Sequence, residues 1–186
     1  MNTIKPLYLT ATALLLLSAS AMSQQKPAQV EAGITASGLP LGQIRPMTVA
    51  IAKQLIAAAK KASCTPPAGS CSGVFAIVDD AGVLVNLEII DGVQAGGPEL
   101  AIRKAKTPAL WRRPTQVFLD AVDNKTNTSY ADGTFPDMTT SPGGIPLFRD
   151  GRVVGGLGIA AVGSVAATKQ IDDAVIAEAT KIFGKQ

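Results

Sequence analysis

The stretch PGGIPLFRDGRVVGGLGIAAVG, residues 142–163, decides the fold because it holds seven of the eighteen glycines of the chain. It predicts two strands, 145–148 and 153–162, joined by the turn Arg149-Asp150-Gly151. Three interpretations compete for its glycines. They form a phosphate loop, they relieve crowding inside a hairpin, or they let a flat ligand or a neighbouring subunit lie close.

The phosphate-loop interpretation is excluded by the position of the glycines. Gly156-x-Gly158-x-x-Ala161 matches a loose dinucleotide pattern, but it lies inside an apolar strand rather than between a strand and a helix. The chain also has no Gly-Lys-Ser/Thr motif. Glycine inside a strand usually marks a bulge or a close approach by backbone or ligand. Crowding, ligand contact and subunit contact therefore remain open, and we expect Gly155 to Gly158 to lie under a subunit contact.

The rest of the chain predicts a second hairpin and a set of helices. Residues 74–78 and 83–90 are apolar or alternating runs around the turn Asp80-Ala81-Gly82. Helical spacing is predicted over residues 46–62, from Pro98 onward, over 115–122 and over 168–183. Pro108 is expected to kink or end the second helix. The order helix, two strands, helices, two strands, helix indicates an α+β fold with antiparallel strands.

Length, charge and composition exclude several classes of function. The 186 residues suffice for one compact domain. Seventeen basic and fourteen acidic residues give a net charge of +3, too small and dispersed for a nucleic-acid partner. The chain has no histidine, which excludes a Ser-His-Asp triad, a histidine zinc site and histidine-ligated haem.

The first residues predict an export signal. Lys5 precedes an apolar run over residues 7–17, and Ala19-Ser20-Ala21 matches a signal-peptidase pattern. We therefore expect a signal peptide over 1–21, a flexible lead-in over 22–42 and one domain over 43–186. The mature chain would be periplasmic or secreted, with no membrane span after cleavage.

The only two cysteines, Cys64 and Cys71, lie in SCTPPAGSCSG. In an exported protein this spacing predicts a disulfide that closes a small loop. Metal binding is the alternative, but two thiols without a histidine make a poor site.

Four blocks of the sequence resemble the GlcG/HbpS family of haem-binding proteins, which is related to the C-terminal domain of the PduO adenosyltransferase. The blocks are FAIVDDAGVLVNLEIIDG, AIRKAKTPA, PGGIPLFRDGRVVGGLGIA and DDAVIAEA. The resemblance implies a profilin-like α+β fold, in which helices flank a central antiparallel sheet, and assembly into homo-oligomers. It also implies that the chain binds haem or a related tetrapyrrole.

The resemblance also implies where a ligand would bind. It favours the segment from Lys104 to Thr107 for the iron, with the Thr107 oxygen as a weak metal ligand. Gly143 and Gly144 complete the expected cofactor site. The haem propionates would need a cation, which Arg103, Lys104, Arg112 or Arg113 could supply. Other candidate iron ligands are Met47, Lys106, Tyr130 and Met138. The alternative is that Lys104 and Thr107 only cap or bridge helix ends.

This chain departs from the family pattern at three of these positions. Ile89 stands where the family has arginine, and Ala160-Ala161 replaces a serine and a glycine. The leading hypothesis is an exported haem- or tetrapyrrole-binding protein in haem handling or redox sensing, either non-catalytic or weakly haem-degrading, with no catalytic residues assigned. A small-molecule enzyme or accessory, with Asp91 or Lys104 as acid/base group, and a ligand-free structural oligomer are the alternatives.

Overall fold

The computed structural model describes residues 47–131 and 135–186. The predicted signal peptide, 1–21, and lead-in, 22–42, lie outside the described residues and stay predictions. Among the described residues, no helix combines the length and the apolar character needed to cross a bilayer.

The four strands form one antiparallel sheet with the order β2-β1-β4-β3. They are β1 (Gly73–Asp79), β2 (Leu84–Ile90), β3 (Gly144–Arg149) and β4 (Arg152–Ala160). Each predicted hairpin is present, β1 with β2 and β3 with β4. The two hairpins join where β1 pairs with β4. The predicted α+β class with a central antiparallel sheet is confirmed.

Four helices cover the two faces of the sheet. They are α1 (Val49–Ser63), α2 (Gly97–Trp111), α3 (Thr115–Asp123) and α4 (Val165–Phe183). Helices α1 and α4 pack with one face in a core that contains Leu55, Phe75, Leu157 and Ile171. Helix α2 packs its alanines against Val74, Ala76 and Val78 on the opposite face. This explains why β1 is a continuous apolar run, because both of its faces are buried.

The ends of the elements follow local capping and turn chemistry. Asp79 ends β1, and its Oδ1 accepts hydrogen bonds from the backbone N–H groups of Ala81 and Val83 at 3.0 and 2.9 Å, which stabilises the turn into β2. Helix α4 begins at Val165, three residues before the predicted start, because the Ser164 hydroxyl accepts from the backbone of Ala167.

The glycines of the opening stretch make room for helix α2. A Cβ atom on Gly144, Gly156 or Gly158 would overlap a backbone carbonyl oxygen of α2. A Cβ on Gly155 would overlap the carbonyl oxygen of Val78 in the neighbouring strand. The expectation of a subunit contact over 155–158 is therefore wrong for these described residues. The close approach lies within the chain, as the crowding interpretation holds.

Pro108 was expected to kink or end α2, and it does not end the helix. The helix continues through Pro108 to Trp111. It ends at Arg112, which adopts a left-handed conformation with φ of +58° and donates its backbone N–H to the carbonyl of Pro108. The proline lies in the last turn, where only one upstream hydrogen bond is lost.

Candidate functional site

Lys104 lies in the middle of α2 and is almost fully buried, with 7% of the residue exposed. Its Nζ donates to the carbonyl oxygen of Ile159 in β4 at 2.9 Å. Burial lowers the pKa of the Lys104 ammonium, and the charge of Asp172 opposes this effect. The side chain ties helix α2 to the end of β4, which is the bridging role named as the alternative to ligand binding.

Gly143 and Gly144 form the turn that leads past Lys104 into β3. Gly143 adopts a φ of +105°, which favours glycine, and a Cβ atom there would lie 3.5 Å from the Lys104 Nζ. The hydroxyl of Thr115 accepts from the backbone N–H of Gly144 at 3.0 Å. The structure thus brings Lys104, Gly143 and Gly144 together, as the sequence predicts.

Thr107 is fully buried, and its hydroxyl is engaged by the protein itself. The hydroxyl donates to the carbonyl oxygen of Arg103 at 2.9 Å and accepts from the backbone N–H of Thr139 at 3.0 Å. These two bonds fix the loop before β3 onto α2. Coordination of iron by this oxygen would require these hydrogen bonds to break. The geometry therefore favours the structural interpretation of Thr107.

Replacing Thr107 with valine is expected to lower the stability of the fold. Valine has a similar shape but leaves the buried N–H of Thr139 without its acceptor, at a cost of about 1–3 kcal/mol in unfolding free energy. Urea unfolding followed by circular dichroism measures this loss. Unchanged stability together with a large loss of ligand affinity would instead assign Thr107 to a ligand site.

Arg103, one residue before Lys104, faces a different part of the surface. It lines a groove of about 520 Å³ between the start of α2 and the end of β4. We call this the main groove, and its walls include Gly96, Leu100, Ala160 and Ala161. The Arg103 Nε is buried without a hydrogen bond and lies 3.9 Å from the Glu99 carboxylate. A guanidinium with an unused donor is suited to bind a carboxylate.

A second cleft of about 300 Å³ continues the main groove around Ala160, Ala161 and Gly163, which line both. Lys104, Pro142 and Thr168 lie on its other walls. Arg103 and Lys104 therefore reach neighbouring parts of one continuous depression.

Asp172 lines a third cleft, of about 320 Å³, beside Gly143 and Gly144. Its Oδ1 is buried and has no hydrogen-bond partner among the described residues. Burial, reinforced by the neighbouring Asp173, raises the pKa of Asp172 to about 7, against the opposing charges of Lys169 and Lys104. The next residue, Asp173, is exposed and pairs with Lys169 at 3.0 Å.

The remaining candidate ligands lie elsewhere. Met47 and Met138 are buried, and Lys106 pairs with Asp137 at 2.7 Å. Tyr130 belongs to an edge-to-face aromatic cluster with Trp111, Phe118 and Phe135. Across residues 47–131 and 135–186, no three carboxylate or thiol side chains come together as a metal site.

The predicted disulfide between Cys64 and Cys71 is present. It closes the loop between α1 and β1. The hydroxyls of Ser70 and Ser72 extend from this loop to the carbonyl oxygens of Val162 and Ala161. The loop is thus attached to the end of β4, at the wall of the main groove.

A family model described as "Haem degrading protein HbpS-like" matches residues 47–181. The chain belongs to the HbpS-like family. This confirms the resemblance drawn from the four sequence blocks. The matched range contains both hairpins, the first three helices, α4 except its last two residues, and the three clefts.

Named HbpS-like relatives agree with this membership. The protein GlcG of Escherichia coli strain K12 is 33% identical over 85 residues, which are 46% of this chain and 61% of GlcG. The aligned stretch is therefore shorter than two thirds of that relative.

Solved structures agree in fold. A double mutant of HbpS from Streptomyces reticuli is 25% identical with a TM-score of 0.60, covering 70% of this chain and 85% of that one. A PduOC structure in complex with haem is 26% identical with a TM-score of 0.59, covering 71% of this chain and 94% of that one.

Proposed function

We propose that this chain binds haem or a related tetrapyrrole in the main groove, with Arg103 holding a propionate. The observation that carries the proposal is Arg103, which lines a groove of about 520 Å³ and whose buried Nε has no hydrogen-bond partner, with the Glu99 carboxylate at 3.9 Å. Membership of the HbpS-like family supports the ligand class, as does the relative solved with haem.

The walls of the groove suit a flat, largely apolar ligand that carries carboxylates. Ala160 and Ala161 leave the end of β4 without large side chains, and Val93 and Leu100 offer apolar contact. The start of α2 adds no strong anion site, because the N–H of Gly97 donates to the Gln94 carbonyl at 2.9 Å and Pro98 has no N–H. Arg103 is therefore the groove residue that offers a positive charge to a carboxylate.

The residues of the main groove suit the macrocycle and the carboxylates of haem, but they include no strong ligand for its iron. The chain has no histidine, and neither methionine nor cysteine lines the main groove. Lys104 lines the second cleft, and its Nζ is already bonded to the Ile159 carbonyl at 2.9 Å, so it would be a weak ligand for iron. Weak ligation suits reversible capture of haem better than oxygen or electron-transfer chemistry.

Arg103→Ala is expected to weaken haemin binding about tenfold, since the carboxylate loses a charge-assisted partner. Arg113→Ala is the matched control, because Arg113 is exposed and outside the walls of the groove. The dissociation constants are measured by absorbance titration with haemin. Equal affinity for wild type and Arg103→Ala would place the ligand elsewhere.

Export and self-assembly belong to the same proposal. An apolar leader before the small-residue motif at 19–21 supports cleavage there, and the disulfide suits an oxidising compartment. The resemblance to the GlcG/HbpS family supports a homo-oligomer. N-terminal sequencing of the mature protein and light scattering test these two statements separately.

A further inference from the structure

We infer that Ser72 is a positioning residue for the main groove, through which the Cys64–Cys71 loop holds the Ala161 wall in its binding shape. The inference deepens the proposed function and rests on it for the ligand. It starts from the backbone at the end of β4.

The wall of the groove at Ala161 is held in an unfavourable conformation. Ala161 follows the last residue of β4 and has a φ of +60°, which a residue with a Cβ atom adopts only when its surroundings enforce it. Ala161 lines both the main groove and the second cleft, so a change in its conformation alters both of them. The contacts that enforce this conformation therefore control the shape of the depression.

Ser72 supplies one of these contacts. Its hydroxyl donates to the carbonyl oxygen of Ala161 at 3.0 Å, and Ser72 itself lies in the wall of the main groove. Ser70 reaches the carbonyl of the next residue, Val162, at a longer 3.5 Å. The shorter bond, at the strained residue, is the stronger of the two attachments.

The disulfide fixes Ser72 in place to make this bond. Cys71, its immediate neighbour, also has a positive φ, of +46°, and donates its backbone N–H to Ser63 at 3.0 Å. The bond to Cys64 closes the loop at the end of α1. Opening the loop lets Cys71 leave the left-handed region and withdraws the Ser72 hydroxyl from Ala161.

The test is a double-mutant cycle on haemin affinity. Ser72→Ala and the paired change Cys64→Ser with Cys71→Ser are each expected to raise the haemin dissociation constant about 3- to 10-fold. Because both changes act through one hydrogen bond, the variant that combines them should have a haemin dissociation constant no higher than the higher of the two separate values. If the two factors multiply, Ser72 contacts the ligand on its own and the inference is overturned.

Two further variants separate positioning from general loss of stability. Ser72→Thr keeps the hydroxyl and should bind haemin within about twofold of wild type, whereas loss equal to that of Ser72→Ala overturns the inference. Thr65→Ala is the matched control, because the Thr65 hydroxyl bonds within the same segment, to Lys61, and does not reach the groove. It should leave haemin affinity unchanged.

Amide hydrogen exchange keeps the inference testable if haemin does not bind at all. Ser72→Ala and the Cys pair variant should speed exchange at residues 161–163 while the centre of β4 stays protected. Unchanged exchange at 161–163 would overturn the inference. If haemin does not bind but exchange becomes faster, the proposed ligand is rejected and the positioning role of Ser72 stands.

Discussion

Replacing Gly158 with valine is expected to abolish folding of the chain. A Cβ atom at this position would overlap the carbonyl oxygen of Ala101 and lie within 3.0 Å of the carbonyl carbon of Lys104. These are backbone atoms of α2, which cannot move without separating the helix from the sheet. The cost is on the order of 4 kcal/mol or more, a large part of the stability of a typical domain.

Gly158→Ala gives a graded version of the same test, and Gly96→Ala is the control. Gly96 has an ordinary φ of −77° and no atom within 4 Å of an added Cβ. The unfolding free energy of the Gly96→Ala variant, measured in urea, should match that of wild type to within about 0.5 kcal/mol. A soluble Gly158→Val variant with the wild-type midpoint would contradict the close approach of α2 to β4.

Raising the pH from about 4 to about 8 is expected to destabilise the protein through Asp172. Burial raises the pKa of this carboxyl from 3.8 to about 7, so the folded state holds its proton more tightly than the unfolded state. The stabilisation is complete below pH 4 and is lost as the pH rises through about 7. A shift of this size corresponds to several kcal/mol.

Asp172→Asn removes the ionisable group while keeping the shape. The variant should be more stable than wild type at pH 8 and show a flatter dependence of unfolding free energy between pH 4 and pH 8. Asp150→Asn is the control, because the Asp150 side chain is exposed in the turn between β3 and β4 and does not contribute to the raised pKa of Asp172. Identical pH profiles for wild type and Asp172→Asn would show that this carboxyl titrates at its ordinary pKa.

The hairpins and their order were predictable because the signals are local. Two apolar runs interrupted by Asp-Ala-Gly and Arg-Asp-Gly turns fix the antiparallel pairing within each hairpin. The pairing of β1 with β4 has no such signal, since the two strands are far apart in sequence. It came only with the family resemblance.

The purpose of the glycines was not predictable from their pattern. A run such as Gly155-Gly156-Leu157-Gly158 indicates a close approach but does not say which backbone approaches. In the structure the approach comes from α2, through the carbonyl groups of Ala101 and Ala105. The alanines of α2 were a signal for this contact, because small residues let a helix lie close to a sheet.

The candidate site was only partly predictable, because residues adjacent in sequence separate on a helix. Arg103, Lys104 and Thr107 were grouped together, yet they face the main groove, the second cleft and the buried loop before β3. Asp172 was missed. The spacing of Lys169 and Asp173, four residues apart, could have shown that Asp173 pairs at the surface.

Titration of the purified wild-type protein with haemin tests whether the chain binds a tetrapyrrole. We expect saturation at about one haemin per chain, with a Soret band unlike that of histidine ligation because the chain contains no histidine. Absorbance that rises without saturation would contradict it, as would a spectrum identical to that of haemin in buffer at every ratio.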